Sequence, residues 1–168
     1  VPSPAQKFRD SLKGAPVNVG SEAVTRITRT PIEFWMSNLS QEPKAVRGQY
    51  LPVDPDGKIQ IVTDPNRPPN YGDLMNTIHH EDIHSALSRV PTQRFKDILS
   101  GSPGLDEGWR NSGRAGTEAL ELPAYLGAYD PEKIKIAPDA RQRYINYMIS
   151  QLPEREAGTF ERILKSWE

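Results

Sequence analysis

All three histidines of the chain fall within six residues, in Thr77-Ile78-His79-His80-Glu81-Asp82-Ile83-His84. Inside this stretch, His80 to His84 spells H-E-x-x-H. Residues four apart share one face of an α-helix. A helix here therefore aims the imidazoles of His80 and His84 at a single point. Two neutral imidazoles converging in this way supply the nitrogen part of a zinc site. Glu81 lies ~100° around the helix from His80. It would flank the ion rather than ligate it, placed to take a proton from a metal-activated water. His79 adjoins His80, points off that face, and reads as a supporting or surface residue. The same five residues could also form a plain solvated helix face. There are no cysteines, which removes thiolate ligands, thiol catalysis and disulfides together.

The motif needs a helix, and the sequence supplies one from Asp73 to about Leu87. Leu74, Ile78, Ile83 and Leu87 recur there at roughly helical spacing. Ahead of it, Lys58-Ile59-Gln60-Ile61-Val62-Thr63 alternates polar and apolar over most of its length, the pattern of a strand. Between Tyr50–Val53 and that strand lies Asp54-Pro55-Asp56-Gly57. Proline presets φ and glycine accepts φ > 0, so the three segments predict a β-hairpin. Pro31 to Leu39 reads as a turn or short helix that touches the core through Ile32, Phe34, Trp35 and Met36. Pro4 to Leu12 reads as a short helix, and Val17 to Thr30 as a strand or two. After the motif come a short helix at Arg94–Leu99, a breaker at Ser100–Gly104, a break at Gly113–Gly116 and a helical stretch at Thr117–Tyr125. Pro138–Leu152 and Pro153–Trp167 read as closing helices, each near a proline that suits a first turn. The expectation is an α+β fold with a small antiparallel sheet and a mostly helical C-terminal half.

A length of 168 residues is that of one domain. Residues 1–45 form a proline-rich N-terminal part, and residues 46–168 form the core that carries the motif. There are 21 Lys and Arg against 22 Asp and Glu, a net charge of −1. That balance argues against a nucleic-acid partner, which calls for a basic excess or stripe. No apolar run approaches the ~20 residues of a membrane span. The chain opens on Val1 rather than Met. It reads as processed or cut from something larger, with a secreted or periplasmic placement expected if a signal peptide was removed.

On His80 to His84, and more loosely on Leu51 to Tyr125, the chain resembles the zincin metallopeptidases. The resemblance implies a zincin-like fold, in which a small sheet packs on an active-site helix and Zn²⁺ is the cofactor. In such families the edge strand of the sheet often holds the substrate in extended form. Lys58–Thr63 is the segment that would do so here, through main-chain hydrogen bonds. The metzincin branch is excluded, because Leu87 and Val90 stand where it needs Gly and His. The third ligand is then a carboxylate from a later helix, the gluzincin-type arrangement. Glu121-Leu122-Pro123-Ala124 matches the E-x-x-A third-ligand motif of the anthrax lethal factor type. There, a small residue one turn on lets the second helix approach the first. This selects Glu121, with Glu118 as runner-up. The chain departs from thermolysin-like enzymes in two respects: 36 residues separate His84 from Glu121, and the N-E-x-x-x-D signature is absent. The aspzincin G-T-x-x-D motif begins at Gly116-Thr117, but Leu120 occupies its Asp position. A further donor commonly stabilises the oxyanion in zinc peptidases. Tyr125 is the candidate here, ahead of Tyr129 and Arg114.

What the resemblance implies is a zinc-dependent metallopeptidase acting on a peptide or protein substrate. His80, His84 and Glu121 would hold the metal. Glu81 would take the proton of the metal-activated water as it attacks, then pass it to the leaving amine. Two alternatives stand beside this. One is a non-catalytic, zincin-derived binding module whose metal is structural, closed by a fourth ligand such as Glu118. The other is a scaffold domain that binds no metal.

Overall fold

A computed structural model describes residues 28, 30–52, 57–113, 118–131 and 133–167. The helix expected at Pro4–Leu12 and nearly all of the strand expected at Val17–Thr30 lie outside these residues. So do Arg114, Gly116-Thr117 and the turn residues Asp54 to Asp56. The class is α+β, with a three-stranded sheet and six α-helices among the described residues.

The hairpin forms as expected. Strands β2 (Val46–Leu51) and β3 (Lys58–Thr63) run antiparallel, with Leu51 opposite Lys58. Gly57 enters β3 at φ +77°, and a Cβ there would collide with the Tyr50 ring. Pro31–Leu39 departs from the expected turn or short helix. Its Ile32–Met36 segment is a strand, β1, paired in parallel with β3. The sheet order is β1-β3-β2, so the sheet is mixed and not antiparallel throughout. The cause lies in β3. Its Ile59 and Ile61 are fully buried, and the hairpin satisfies one of its two edges. On the other edge Ile59 N donates to Pro31 O at 2.8 Å, and Ser37 N donates to Thr63 O at 3.0 Å. Without β1 these groups would be an unpaired apolar edge. Because β3 has neighbours on both sides, Lys58–Thr63 cannot accept a substrate strand, contrary to expectation.

Helix α1 (Tyr71–Ala86) carries the histidines. Asn70 caps it, its Oδ1 accepting from Gly72 N at 2.7 Å and Asp73 N at 3.4 Å. Then follow α2 (Thr92–Ser100) and α3 (Pro103–Asn111). A 3₁₀ turn (Ala119–Glu121) runs into α4 (Leu122–Gly127). Helices α5 (Pro138–Gln151) and α6 (Glu154–Ser166) close the chain. No described helix is long and apolar enough to cross a membrane.

Among the described residues, two apolar clusters make up the core, and α1 belongs to both. Leu74, Met75 and Ile78 pack with Ile32, Val46, Ile59 and Ile61 of the sheet. Ile83 and Leu87 pack with Phe95, Leu105, Trp109, Leu122 and Phe160 of the helices. The histidine motif thus sits where the sheet layer gives way to the helical layer.

Candidate metal centre

Helix α1 turns His80 and His84 to one point, as their spacing requires. Their Nε2 atoms are 3.2 Å apart, and the rings meet edge to face at 4.8 Å. Glu121, the last residue of the 3₁₀ turn, enters from the opposite side. Its Oε2 is 3.0 Å from His80 Nε2, and its Oε1 is 2.9 Å from His84 Nε2. Close packing of α4 on α1 delivers it. Ala124 is fully buried, and at Gly127 a Cβ would strike Ile83 of α1.

The three donors fit a metal ion. Tetrahedral zinc with bonds of ~2.0–2.1 Å spaces its ligand atoms ~3.3 Å apart. The two imidazole nitrogens, 3.2 Å apart, approach that spacing, and each faces its own oxygen of Glu121 at 2.9–3.0 Å. Two imidazole nitrogens and a carboxylate are a donor set suited to a first-row divalent ion, zinc among them.

Electrostatics in the trio favour a charged pair. The Glu121 carboxyl is pulled well below the usual carboxylate range. Burial pushes it up, but hydrogen bonds from His80 and His84 outweigh that. The His84 pKa is raised: burial opposes the charged form, and the hydrogen bond and charge of Glu121, with the charge of Glu81, overcome it. Glu81 shifts the other way from Glu121. It is 6% exposed, and burial raises its pKa more than the nearby imidazoles lower it. Its Oε2 is buried with no hydrogen-bond partner among the described residues.

The remaining candidates separate cleanly. His79 points away from the trio and stacks on Trp167, ring centroids 5.0 Å apart at 18°. Glu118 precedes the 3₁₀ turn with ψ 136° and is exposed, so it shares no helix face with Glu121. Tyr125 meets His80 edge to face at 4.9 Å and lines a cavity of about 320 Å³ with His80, Glu81 and Glu121. The Tyr129 hydroxyl donates to Ile136 O, which gives it a structural place.

A second cavity of about 530 Å³ lies beside the first and shares Gly48, Glu81 and Glu121 with it. Its wall is apolar at Tyr50, Leu87, Val90, Phe95 and Leu120. Two participants escaped the sequence reading. Lys133 lines the smaller cavity, with Nζ 6.0 Å from the Tyr125 ring centroid, and nothing local in the sequence marks it. Gly48 lines both, and its signal was available: an isolated glycine within a strand marks a close approach. No protein-family model, curated protein or solved structure matches this chain.

Proposed function

We propose that the chain is a zinc-dependent metallopeptidase of zincin-like fold. His80, His84 and Glu121 hold the zinc, and Glu81 is the general base. One observation carries this reading: the imidazole nitrogens of His80 and His84 lie 3.2 Å apart, each within 3.0 Å of its own oxygen of Glu121, with the buried carboxylate of Glu81 beside them. Bound zinc would polarise the scissile carbonyl and lower the pKa of water. Glu81 does the proton work. Burial biases it toward accepting a proton, and Oε2 has no competing bond among the described residues. That oxygen takes the proton of the attacking water and returns it to the leaving nitrogen. Tyr125, in the same cavity, is the candidate donor to the carbonyl oxygen as negative charge builds there.

Substrate placement falls to β2 rather than β3. Asp64 N donates to Ala45 O at 3.4 Å. By the alternation of an antiparallel ladder, Arg47, Gln49 and Leu51 then face β3. The main-chain groups of Val46, Gly48 and Tyr50 are left on the open edge, along both cavities. An extended peptide can add there as a further strand, held by main-chain bonds that do not depend on its sequence.

A second reading has one observation in its favour. Single ligand atoms of His80, Glu81 and His84 lie within 4.8 Å of one another, so Glu81 could close a structural metal site. Metal analysis of Glu81→Gln, on protein purified without a histidine tag, separates the two. The peptidase reading expects zinc retained and cleavage of an unstructured substrate lost. Zinc lost with the carboxylate supports the structural site.

A further inference from the structure

We propose that Gly48 is a positioning residue: the space left by its missing side chain seats Glu81 against the metal ligands. Its catalytic consequence rests on the peptidase reading; the contact itself does not.

Along β2, Val46 and Tyr50 turn their side chains into the sheet-side core. Gly48 holds the same face between them, over α1. A β-branched or aromatic residue would suit a strand better, and glycine weakens one. Backbone conformation does not call for glycine here, because the described positive-φ glycines are Gly57 and Gly113. Space does. A Cβ at position 48 would lie 2.7 Å from Glu81 Cγ and 2.8 Å from Thr77 Cγ2. Neither atom is a loose chain end. Cγ lies midway along a buried side chain, and the Thr77 hydroxyl donates to Asp73 O at 2.7 Å, which pins its methyl. Thr77 and Glu81, one helical turn apart, both press on the same point of the strand. Any larger residue at 48 must push the Glu81 carboxylate off the strand or lift α1 from the sheet. The Gly48 main chain faces the open edge, so the same gap brings Glu81 beside the groups proposed to hold the substrate.

The test pairs stability with kinetics. In a Thr77→Ser background, which removes the second obstruction, Gly48→Ala should lower Tm. With Glu81→Ala added, that loss should shrink to roughly half or less, the signature of residues in contact. In the otherwise wild-type chain, Gly48→Ala should keep its zinc. Its kcat should fall by about 10²-fold, the scale of a misplaced reacting group, with KM nearly unchanged. Gly158→Ala, where the nearest atom is Arg162 Nη1 at 4.0 Å, should leave zinc and kcat unchanged and, as an alanine inside helix α6, raise Tm rather than lower it. Equal Tm losses in the two backgrounds overturn the assignment. So does full kcat in Gly48→Ala in an enzyme that Glu81→Gln disables. A wild-type chain that cleaves nothing fails the peptidase reading, and the Tm cycle still decides whether the gap seats Glu81.

Discussion

Replacing Glu121 by alanine should cut the stabilisation that zinc gives the fold. The carboxylate bridges both imidazoles at 2.9 and 3.0 Å, so in the proposed site it is one of three protein donors, and the one that ties α4 to α1. A ligand that binds only the folded state at 100 times its Kd adds ~2.7 kcal/mol. For a chain of this size, that corresponds to a rise in Tm of ~5–11 °C. Losing an outer-shell partner of a metal site already costs ~10–100-fold in affinity, and losing a ligand should cost at least as much. At 100-fold weaker binding, the same zinc concentration adds only ~0.4 kcal/mol, or ~1–2 °C. Glu118→Ala should keep the wild-type shift, because Glu118 is exposed and precedes the turn that brings Glu121 onto the imidazoles. The assay is thermal unfolding of metal-free protein across a zinc titration, with calorimetric binding on the same samples. A full zinc shift in Glu121→Ala would refute the ligand assignment. A shift lost in Glu118→Ala instead would show that the turn presents the other carboxylate.

His80→Ala and His84→Ala should each empty the site by elemental analysis, while His79→Ala should keep the metal and lower Tm through its lost stack on Trp167; equal metal loss from all three would contradict the shared-face geometry. Glu81→Gln should retain zinc and fold, and cleave a broad peptide library ~10²–10⁴-fold more slowly; undiminished cleavage would remove Glu81 as base. For the metal-free protein, the His84 pKa is raised above its ordinary 6.5, so its contribution to stability is present below that value and lost as pH rises through the folded pKa. Tm should therefore fall across that window, and Glu121→Ala should flatten the fall. Zinc-loaded protein should show the opposite trend over the same window, because protons compete with metal for the imidazole; parallel curves would mean that His84 is not a ligand.

What could be read from the sequence was set by short-range period. The 3.6-residue repeat placed α1 and, with it, the shared face of His80 and His84 and the flanking position of Glu81. Alternation and the Pro-Asp-Gly turn placed the β2–β3 hairpin. Prolines at first turns marked the two closing helices, found at Pro138–Gln151 and Glu154–Ser166. Helix α3 was not legible, because its nine residues lie between breakers and only Leu105 and Trp109 mark its buried face. Tertiary contacts settled the rest. Glu118 and Glu121 differ little by local spacing. They part because the chain is extended at 118 and helical from 119, while burial of Ala124 and the close approach at Gly127 draw Glu121 onto the imidazoles. Lys58–Thr63 has the alternation of either an edge or a central strand. It became central when β1, whose residues pair with others 27 positions later in the chain (Phe34 with Ile61), closed its free side. Gly48 is one glycine among twelve in the sequence, and only the seating of α1 on β2 shows that a Cβ there would meet Glu81. The physical reason is the same in each case. Backbone period is carried by neighbouring residues, whereas which surfaces meet depends on apolar burial and unpaired edges summed over distant parts of the chain.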